Sequence, residues 1–493
     1  MSKKKIIVIG SGFSGLSAAC FLAKDGCEVV ILEKNASIGG RARKFEQDGF
    51  VFDMGPSWYW MPDVFERFFN QFGKKAADFY SLLRLSPSYR VYFGANEFWD
   101  IPSSLEELYR LFEQEEQGSA LRLKTFLKEA EYKYEKGINK FVQLPGKSIF
   151  EYFDGEVLGA VLKMHLLTDM ASYVRKYFKS PKIISLLEFP VLFLGETPGR
   201  TPALYSLMNY ADMALGTWYP QGGMYNIVAA METIARDLGV KIITNAEVTT
   251  IDIKNNRAKT VFSRAGNFDC DAVVGSADYH HLDSQIIPPK YQQYDAKYWE
   301  SRKMAPSSLL YYIGLNKKIP QLLHHNLFFD TDFGKHAFEI YDKPQWPTDP
   351  LFYVSVPSKT DASVAPEGFE NLFILIPTAP GLVDTDAVQE QYFGTVMERL
   401  EKIAGVTFRE NIVYRRNFAS RDFSKDYHAH KGNAYGLANT LLQTGPLKPS
   451  MHHKKIKNLL FTGQLTVPGP GVPPSIISGE VVAREMMKLL SKQ

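Results

Sequence analysis

Three glycines (Gly10, Gly12, Gly15), one glutamate (Glu33) and two arginines (Arg41, Arg43) stand close enough in the chain to serve one ligand. Gly10 permits a tight turn, and Gly12 lets an anion touch peptide N–H groups with no side chain between them. Gly15 lets a helix pack closely on a strand. A helix starting at such a loop directs unpaired N–H groups and a partial positive charge at the anion, so pyrophosphate is the expected ligand. Glu33 accepts hydrogen bonds from ribose hydroxyls and repels a 2′-phosphate, which predicts a dinucleotide other than NADP. Arg41 and Arg43 follow the Gly39-Gly40 turn. A second close-approach turn with guanidinium groups to pair with phosphate favours FAD over NAD. Each arginine alone also reads as a solvated side chain beyond a turn.

The elements that must position these residues occur in order. Lys5-Ile6-Ile7-Val8-Ile9 is β-branched and uninterrupted, as a strand buried on both faces should be. Leu16, Ala19, Cys20 and Ala23 recur at i, i+3, i+4 and i+7, predicting a helix with one apolar face. Glu28 to Leu32 reads as a second strand entered through Gly26, completing a β-α-β unit with its glycines at the first strand-to-helix turn. Further on, Tyr225 to Leu238 reads as a helix. Val240–Thr244, Val248–Ile251 and Asp271–Ala277 read as strands. A helical stretch rich in Tyr, Phe and Lys is expected from about Leu105 to Phe178, and a second sheet from runs such as Ser307–Leu315 and Asn371–Pro377. Gly55-Pro56-Ser57, a turn between aromatics, either passes beside a flat ring or forms a buried loop.

Composition limits the alternatives. The chain has 493 residues, 45% hydrophobic and 23% charged, as in an ordinary globular protein of two or three domains. A formal net charge of +3 gives no support for nucleic-acid binding. Cys20, Cys27 and Cys270 are too few and scattered for a disulfide framework, so a reducing cytoplasm is expected. Lys3-Lys4-Lys5 before an apolar run imitates a secretory leader, but the glycines interrupt the run at nucleotide-loop spacing. No charge-free apolar stretch reaches 18 residues, so a soluble or peripheral protein is expected. His280-His281, His324-His325, His428/His430 and His452-His453 lack accompanying ligands at zinc spacing and are predicted to be surface or loop histidines. Asp169 and Arg175 read as a solvated helix face or a salt bridge.

Longer motifs carry a family resemblance. They are the glycine fingerprint with Glu33, Gly39-Gly40-Arg41-Ala42-Arg43, and Phe52-Asp53-Met54-Gly55-Pro56-Ser57. Gly216-Thr217-Trp218-Tyr219-Pro220-Gln221-Gly222-Gly223 and the closing Phe461-Thr462-Gly463 with Pro468-Gly469-Pro470-Gly471-Val472-Pro473-Pro474-Ser475 complete the set. Over almost its whole length the sequence resembles the FAD-dependent carotenoid desaturases of the bacterial phytoene desaturase type, within the amine-oxidase-like flavoproteins. Gln464 and Pro474 depart from that family's usual smaller residues.

The resemblance implies an α/β fold: a Rossmann-like FAD-binding domain built from discontinuous segments, a mixed-sheet substrate domain, and a helical lid or membrane-contact region. The implied boundaries are 1–75, 216–280 and 430–493 for the flavin domain, 76–145 and 281–429 for the substrate domain, and 146–215 for the lid. Phe150, Tyr152, Phe153, Val157, Leu158 and Leu162 near Lys163 are the candidate membrane contact. Implied cofactor contacts are Gly10, Ser11, Gly12, Gly15, Glu33, Lys34, Gly40, Arg41, Gly55, Pro56, Ser57, Val248 (adenine, through backbone), Gly463, Gly471, Val472, Pro473 and Ser475. No catalytic acid, base or metal ligand is implied. The expected activity is desaturation of phytoene towards lycopene at the inner face of a membrane, with oxygen or a quinone as electron acceptor. Alternatives are a 3,4-desaturase of a hydroxycarotenoid, a diapophytoene desaturase, a carotenoid isomerase, and a non-catalytic isoprenoid escort like the Rab GDP-dissociation inhibitors.

Overall fold

The computed structural model describes residues 3–148, 151, 168–192 and 195–492. Its centre is a five-stranded sheet in the order Leu459–Phe461, Ala272–Gly275, Lys5–Ile9, Glu28–Leu32, Lys241–Ile243. Every pair in it is parallel. Ile6, Ile7, Val8 and Val273 are wholly buried, as the unbroken apolar runs require for a sheet covered on both faces. Three distant stretches of chain thus meet edge to edge. An antiparallel meander of Val248–Lys254, Arg257–Ser263 and Gly266–Asp269 packs over one face of this sheet.

The first helix, Phe13–Lys24, departs from the expected single apolar face. Leu16, Ala19 and Cys20 are buried, but so are Ser14, Gly15, Ser17, Ala18 and Leu22. The cause is a second cover: the helix lies between the sheet, the helix Tyr225–Asp237 and the C-terminal helix Val472–Leu490. Small residues make the crossing possible. A Cβ on Gly479 would come within 2.5 Å of both Ser14 O and Ser17 Cβ. Ser17 Oγ donates to Ile476 O at 2.7 Å.

A seven-stranded mixed sheet forms the second body, in the order Ile412–Phe418, Ser307–Leu315, Glu370–Thr378, Phe352–Ser355, His325–Phe328, Tyr89–Gly94, Glu97–Ile101. Its pairs are antiparallel except His325–Phe328 with Tyr89–Gly94. One face packs on the helix Asp386–Ala404, and the other turns toward the flavin-type sheet. The long helical stretch is broken: Leu105–Glu115, Ser119–Asn139 and Met170–Arg175 are separate helices, the first two divided at Gly118 (φ +78°). Phe150, Tyr152, Phe153, Val157, Leu158, Leu162 and Lys163 lie outside the described residues. Among the described residues no helix is long and apolar enough to cross a membrane.

Candidate active site

A cavity of about 730 Å³ opens at the carboxyl ends of the central strands, where Ile9-Gly10, Leu32-Glu33, Ser276 and Thr462-Gly463 all reach its wall. Such a crevice is where open α/β sheets bind ligands. Every expected cofactor contact lines this cavity except Gly15. Gly15 sits beneath the loop, where a Cβ would fall 2.1 Å from Gly10 O, so it sets packing and does not reach a ligand. Gly10 needs its left-handed φ of +101° to place its N–H on Leu32 O at 2.9 Å. Gly12 differs from both: nothing lies within 4 Å of the Cβ it lacks. Its missing side chain leaves room that the wall itself does not fill.

The second glycine turn closes on the first. Gly39 N–H donates to Ser11 O at 3.0 Å, and a Cβ on Gly40 would meet Gly12 Cα at 3.3 Å. A Cβ on Gly55 would lie 2.4 Å from Arg41 O, so the Gly55-Pro56-Ser57 turn rests on the arginine's backbone. The two arginines part company here. Arg43 is committed to Asp426 at 2.5 Å and to Tyr427 OH at 3.1 Å. Both stack over Tyr427, at 5.2 and 5.1 Å, and both keep a buried Nε with no partner, but Arg41 lines the cavity and Arg43 does not. With its amide oxygen turned inward, Gln464 accepts from Arg41 Nη2 and Nη1 at 3.0 and 3.2 Å. Burial lowers the Arg41 pKa, opposed by the charge of Asp278.

Glu33 is buried with both oxygens engaged. Oε2 accepts from Ser11 N at 3.0 Å and Ser11 Oγ at 2.6 Å; Oε1 accepts from Asn35 N at 2.8 Å and Asn35 Nδ2 at 3.1 Å. Lys34 donates to Lys425 O, and burial lowers its pKa against the pull of Glu247, Asp426 and Glu33. Glu33 O accepts from Ala246 N at 2.8 Å, which carries the chain on to Val248 at the cavity wall.

A second helix start faces the same space. Gly471 (φ +114°) precedes Val472–Leu490, with Pro473 and Pro474 in the first turn and Ser475 N–H on Gly471 O at 3.0 Å. Neither this helix nor Phe13–Lys24 has a side-chain N-cap bond. The first helix leaves the N–H groups of its first turn for a ligand; at the second, Pro473 and Pro474 carry no N–H, so Gly471 and Val472 supply the donors there. Together with the open space at Gly12 and the unpartnered Arg41 Nε, this donor set fits the pyrophosphate and carbonyl edges of a flavin dinucleotide.

Beyond that end the wall turns apolar. Trp58, Trp60, Met61, Leu204, Leu310 and Phe373 are among its apolar lining.

Several residues escaped the sequence reading. Asp278 is buried at the exit of Ala272–Gly275 and lines the cavity; burial raises its pKa to about 6 against the lowering effect of Arg41. An acid at a buried strand's exit was the available signal. Asp53 is structural, accepting from Met224 N at 2.7 Å and Tyr225 N at 2.9 Å and so capping a helix from outside. The expectation of surface or loop histidines fails for His325, which lies in a strand; His324 and His453 are in loops but are not at the surface. His324, His325 and His453 are buried, and burial lowers all three pKa values. Each is tolerated because a ring nitrogen finds a partner: Thr360 Oγ1 at 2.7 Å, Tyr353 OH at 2.6 Å and Ile456 N at 2.8 Å. His281 and His428 stack at 3.8 Å on the cavity wall. Among the described residues no three His, Cys, Asp or Glu side chains are grouped to hold a metal. Asp169 caps a helix through Ser172 N at 2.7 Å and Arg175 pairs with Glu188; neither lines the cavity.

The chain is similar to known proteins over almost its whole length. The family described as flavin containing amine oxidoreductase matches residues 13–487. A carotenoid 3,4-desaturase of Haloarcula japonica is 41% identical over 99% of this chain and 99% of its own length. A zeta-carotene-forming phytoene desaturase of Myxococcus xanthus is 32% identical over 98% of this chain and 94% of its own. Among solved structures, an oxidoreductase from Methanosarcina mazei superposes with a TM-score of 0.64 at 16% identity, covering 97% of this chain and 100% of that one. A cavity with a dinucleotide end and an apolar arm, on a chain so alike over its whole length, has one assignment: the protein belongs to the flavin-containing amine oxidoreductases, among their carotenoid desaturases.

Proposed function

We propose that this cavity holds FAD at its polar end and an acyclic carotenoid along its apolar arm, and that the chain introduces a double bond into the latter. The observation that carries the reading is continuity: one cavity joins two uncapped helix N-termini and Arg41 to a wall of Trp, Phe, Leu and Met side chains. Gly10, Ser11, Gly12 and the first helix would hold the pyrophosphate, with Arg41 and the Gly40 turn closing over it. Glu33 would take the ribose. Its roughly four acceptor sites already serve four donors, so the Ser11 hydroxyl or the Asn35 amide must swing aside for that contact. Val248 would meet the adenine, and Gly55, Pro56, Ser57, Gly463 and the Gly471–Ser475 helix start would flank the ring.

When bound, the flavin supplies a two-electron oxidant that takes hydride from a C–H bond flanking the polyene. The chain's own residues orient the substrate and exclude water. In this reading segments 1–75, 216–280 and 430–493 form the flavin domain, 76–145 and 281–429 the substrate domain, and 146–215 the lid. Leu447, an exposed residue of the cavity lining, and the exposed Leu442 five residues before it would meet a membrane surface from which the polyene enters, and oxygen or a quinone would reoxidise the flavin.

Expression in cells that accumulate phytoene, followed by pigment analysis, tests the reading. Phytoene converted towards lycopene is the expected result. The greater likeness to a 3,4-desaturase favours a second reading, in which the substrate is already conjugated; supplying lycopene in parallel separates the two. A purified chain that holds no flavin and alters neither pigment would refute both and return the escort reading.

A further inference from the structure

Arg41 and Arg43 share the ring of Tyr427, yet only Arg43 goes on to bond a carboxylate, Asp426 at 2.5 Å. Arg41 has neutral oxygens in that place. With the Gln464 amide oxygen turned inward, Nη2 and Nη1 donate to it at 3.0 and 3.2 Å, and Nη2 reaches Asn433 O at 3.4 Å. Among the described residues no carboxylate accepts a hydrogen bond from Arg41. Asp278 acts on it by charge alone, its oxygens being turned to the N–H groups of His281 and His430 at 3.1 and 3.5 Å.

The neutral partners are themselves held in place. The Gln464 side chain crosses Gly436 (φ +91°), where a Cβ would lie 2.9 Å from Gln464 Cγ and push the amide away. Gly436 N–H donates to Asn433 Oδ1 at 2.7 Å and Asn433 Nδ2 to His430 O at 2.7 Å, which fixes the turn that presents Asn433 O. Tyr427 ends the helix Ser420–Tyr427, and its hydroxyl accepts from Arg43 Nη2 at 3.1 Å. An amide, a carbonyl and a ring thus grip Arg41 from three separate turns of chain, and Arg41, Tyr427 and Gln464 all line the cavity.

Such a grip has a use only if the guanidinium must be ready for something. A free arginine samples many rotamers, and a ligand that binds it must first order it. A bonded carboxylate would order it too, but would also meet its charge, as Asp426 does for Arg43, which does not line the cavity. Gln464, Asn433 O and Tyr427 hold Arg41 and leave its positive charge for an anion. Resting on the FAD reading above, we infer that Gln464 and Tyr427 are positioning residues that preset Arg41 for the pyrophosphate. This gives a role to the departure at Gln464 from the smaller residues usual in the family.

The test titrates the full-length, flavin-free protein with FAD, ADP and adenosine by calorimetry. ADP carries the pyrophosphate without the flavin ring, and adenosine carries neither. Gln464→Met keeps the length of the side chain and removes the acceptor. It should weaken FAD and ADP by the same factor, about 3- to 10-fold, the cost of ordering one long side chain, and leave adenosine unchanged. Tyr427→Leu should do likewise, whereas Tyr427→Phe, which keeps a ring face under Arg41, should bind ADP as the native protein does. In an Arg41→Met background Gln464→Met should have no further effect, because it acts through that arginine. Native-like ADP binding by Gln464→Met would overturn the inference. So would multiplicative losses in the double variant, which would show that Gln464 touches the ligand itself. An equal loss of adenosine, the mark of general damage, would overturn it too. A native protein that binds neither FAD nor ADP would instead remove the functional reading beneath it.

Discussion

Gly12 and Gly15 lie three residues apart in one fingerprint, yet alanine at each should damage a different property. At Gly12 the added methyl meets nothing within 4 Å, and backbone φ/ψ of −68° and 177° suits any residue. The apoprotein should therefore lose only the difference between glycine and alanine at a helix N-cap, about 1 kcal/mol. The methyl would stand where the phosphate must approach helix N–H groups. Two charge-assisted hydrogen bonds lost at about 1.5–3 kcal/mol each give about 3–6 kcal/mol. At 1.4 kcal/mol per decade, FAD affinity should fall roughly 10²- to 10⁴-fold. At Gly15 the methyl would lie 2.1 Å from Gly10 O and 2.9 Å from Ser276 Oγ. Overpacking of that kind costs about 1–3 kcal/mol before any ligand is added. Urea unfolding of both apoproteins and flavin-fluorescence titration would separate the effects. Gly12→Ala binding FAD within threefold of native, or Gly15→Ala unfolding like native, would refute the assignment of these two positions.

Two further outcomes follow from buried charge. Glu33→Gln turns an amide NH₂ toward either Ser11 or Asn35, each of which now donates two bonds, so the apoprotein should lose about 1–3 kcal/mol in urea unfolding as well as weakening its hold on FAD. Lys448 is buried with no partner for Nζ, and burial lowers its pKa to about 7 from 10.5. Between these values the unfolded chain binds a proton that the fold does not, so native stability falls as pH drops from about 10.5 towards 7 and levels off below. Lys448→Met should remove that slope: its melting temperature should exceed the native value most at pH 7 and below, with the gain vanishing above about pH 10.5. A gain independent of pH would show that Lys448 is not charged at the expense of the fold.

The nucleotide loop was legible because its geometry is local. Lys5–Ile9 and Glu28–Leu32 begin and end where the apolar runs do, and Gly10 and Gly12 stand where backbone must turn or be approached. Ser307–Leu315 was equally plain as nine buried residues in a row. What stayed hidden depends on partners far along the chain. No feature of Arg41 and Arg43 says which is neutralised, because Asp426 lies 383 residues from Arg43. The histidine pairs read as polar because type alone does not reveal Thr360 or Tyr353 waiting for their rings. Asp53 was one residue of the Phe52–Ser57 motif with no role of its own, because Met224 and Tyr225, whose N–H groups it accepts, lie 171 and 172 residues away. The first helix looked one-faced because the C-terminal helix that buries its other side enters some 460 residues later.

That last contact bears on how the cofactor is held. The two helix starts that face the cavity, at Gly12 and Gly471, belong to opposite ends of the chain, and independent motion would force FAD to order them on binding. They are packed on each other. Gly479 lets the C-terminal helix seat on Ser14 and Ser17, and Ser17 bonds Ile476 O at 2.7 Å. Gly463 N–H donates to Ser478 Oγ of the same helix at 3.1 Å, while a Cβ on Gly463 would already touch Ser14 Oγ at 3.1 Å. The two helix starts proposed to meet the pyrophosphate and the ring are thus fixed relative to each other by packing within the chain. Binding energy then goes into contacts, because the cost of ordering loops has been met by the fold. By the same argument, Ser17 and Gly479, which do not line the cavity, should influence flavin affinity through the spacing of the two helix starts.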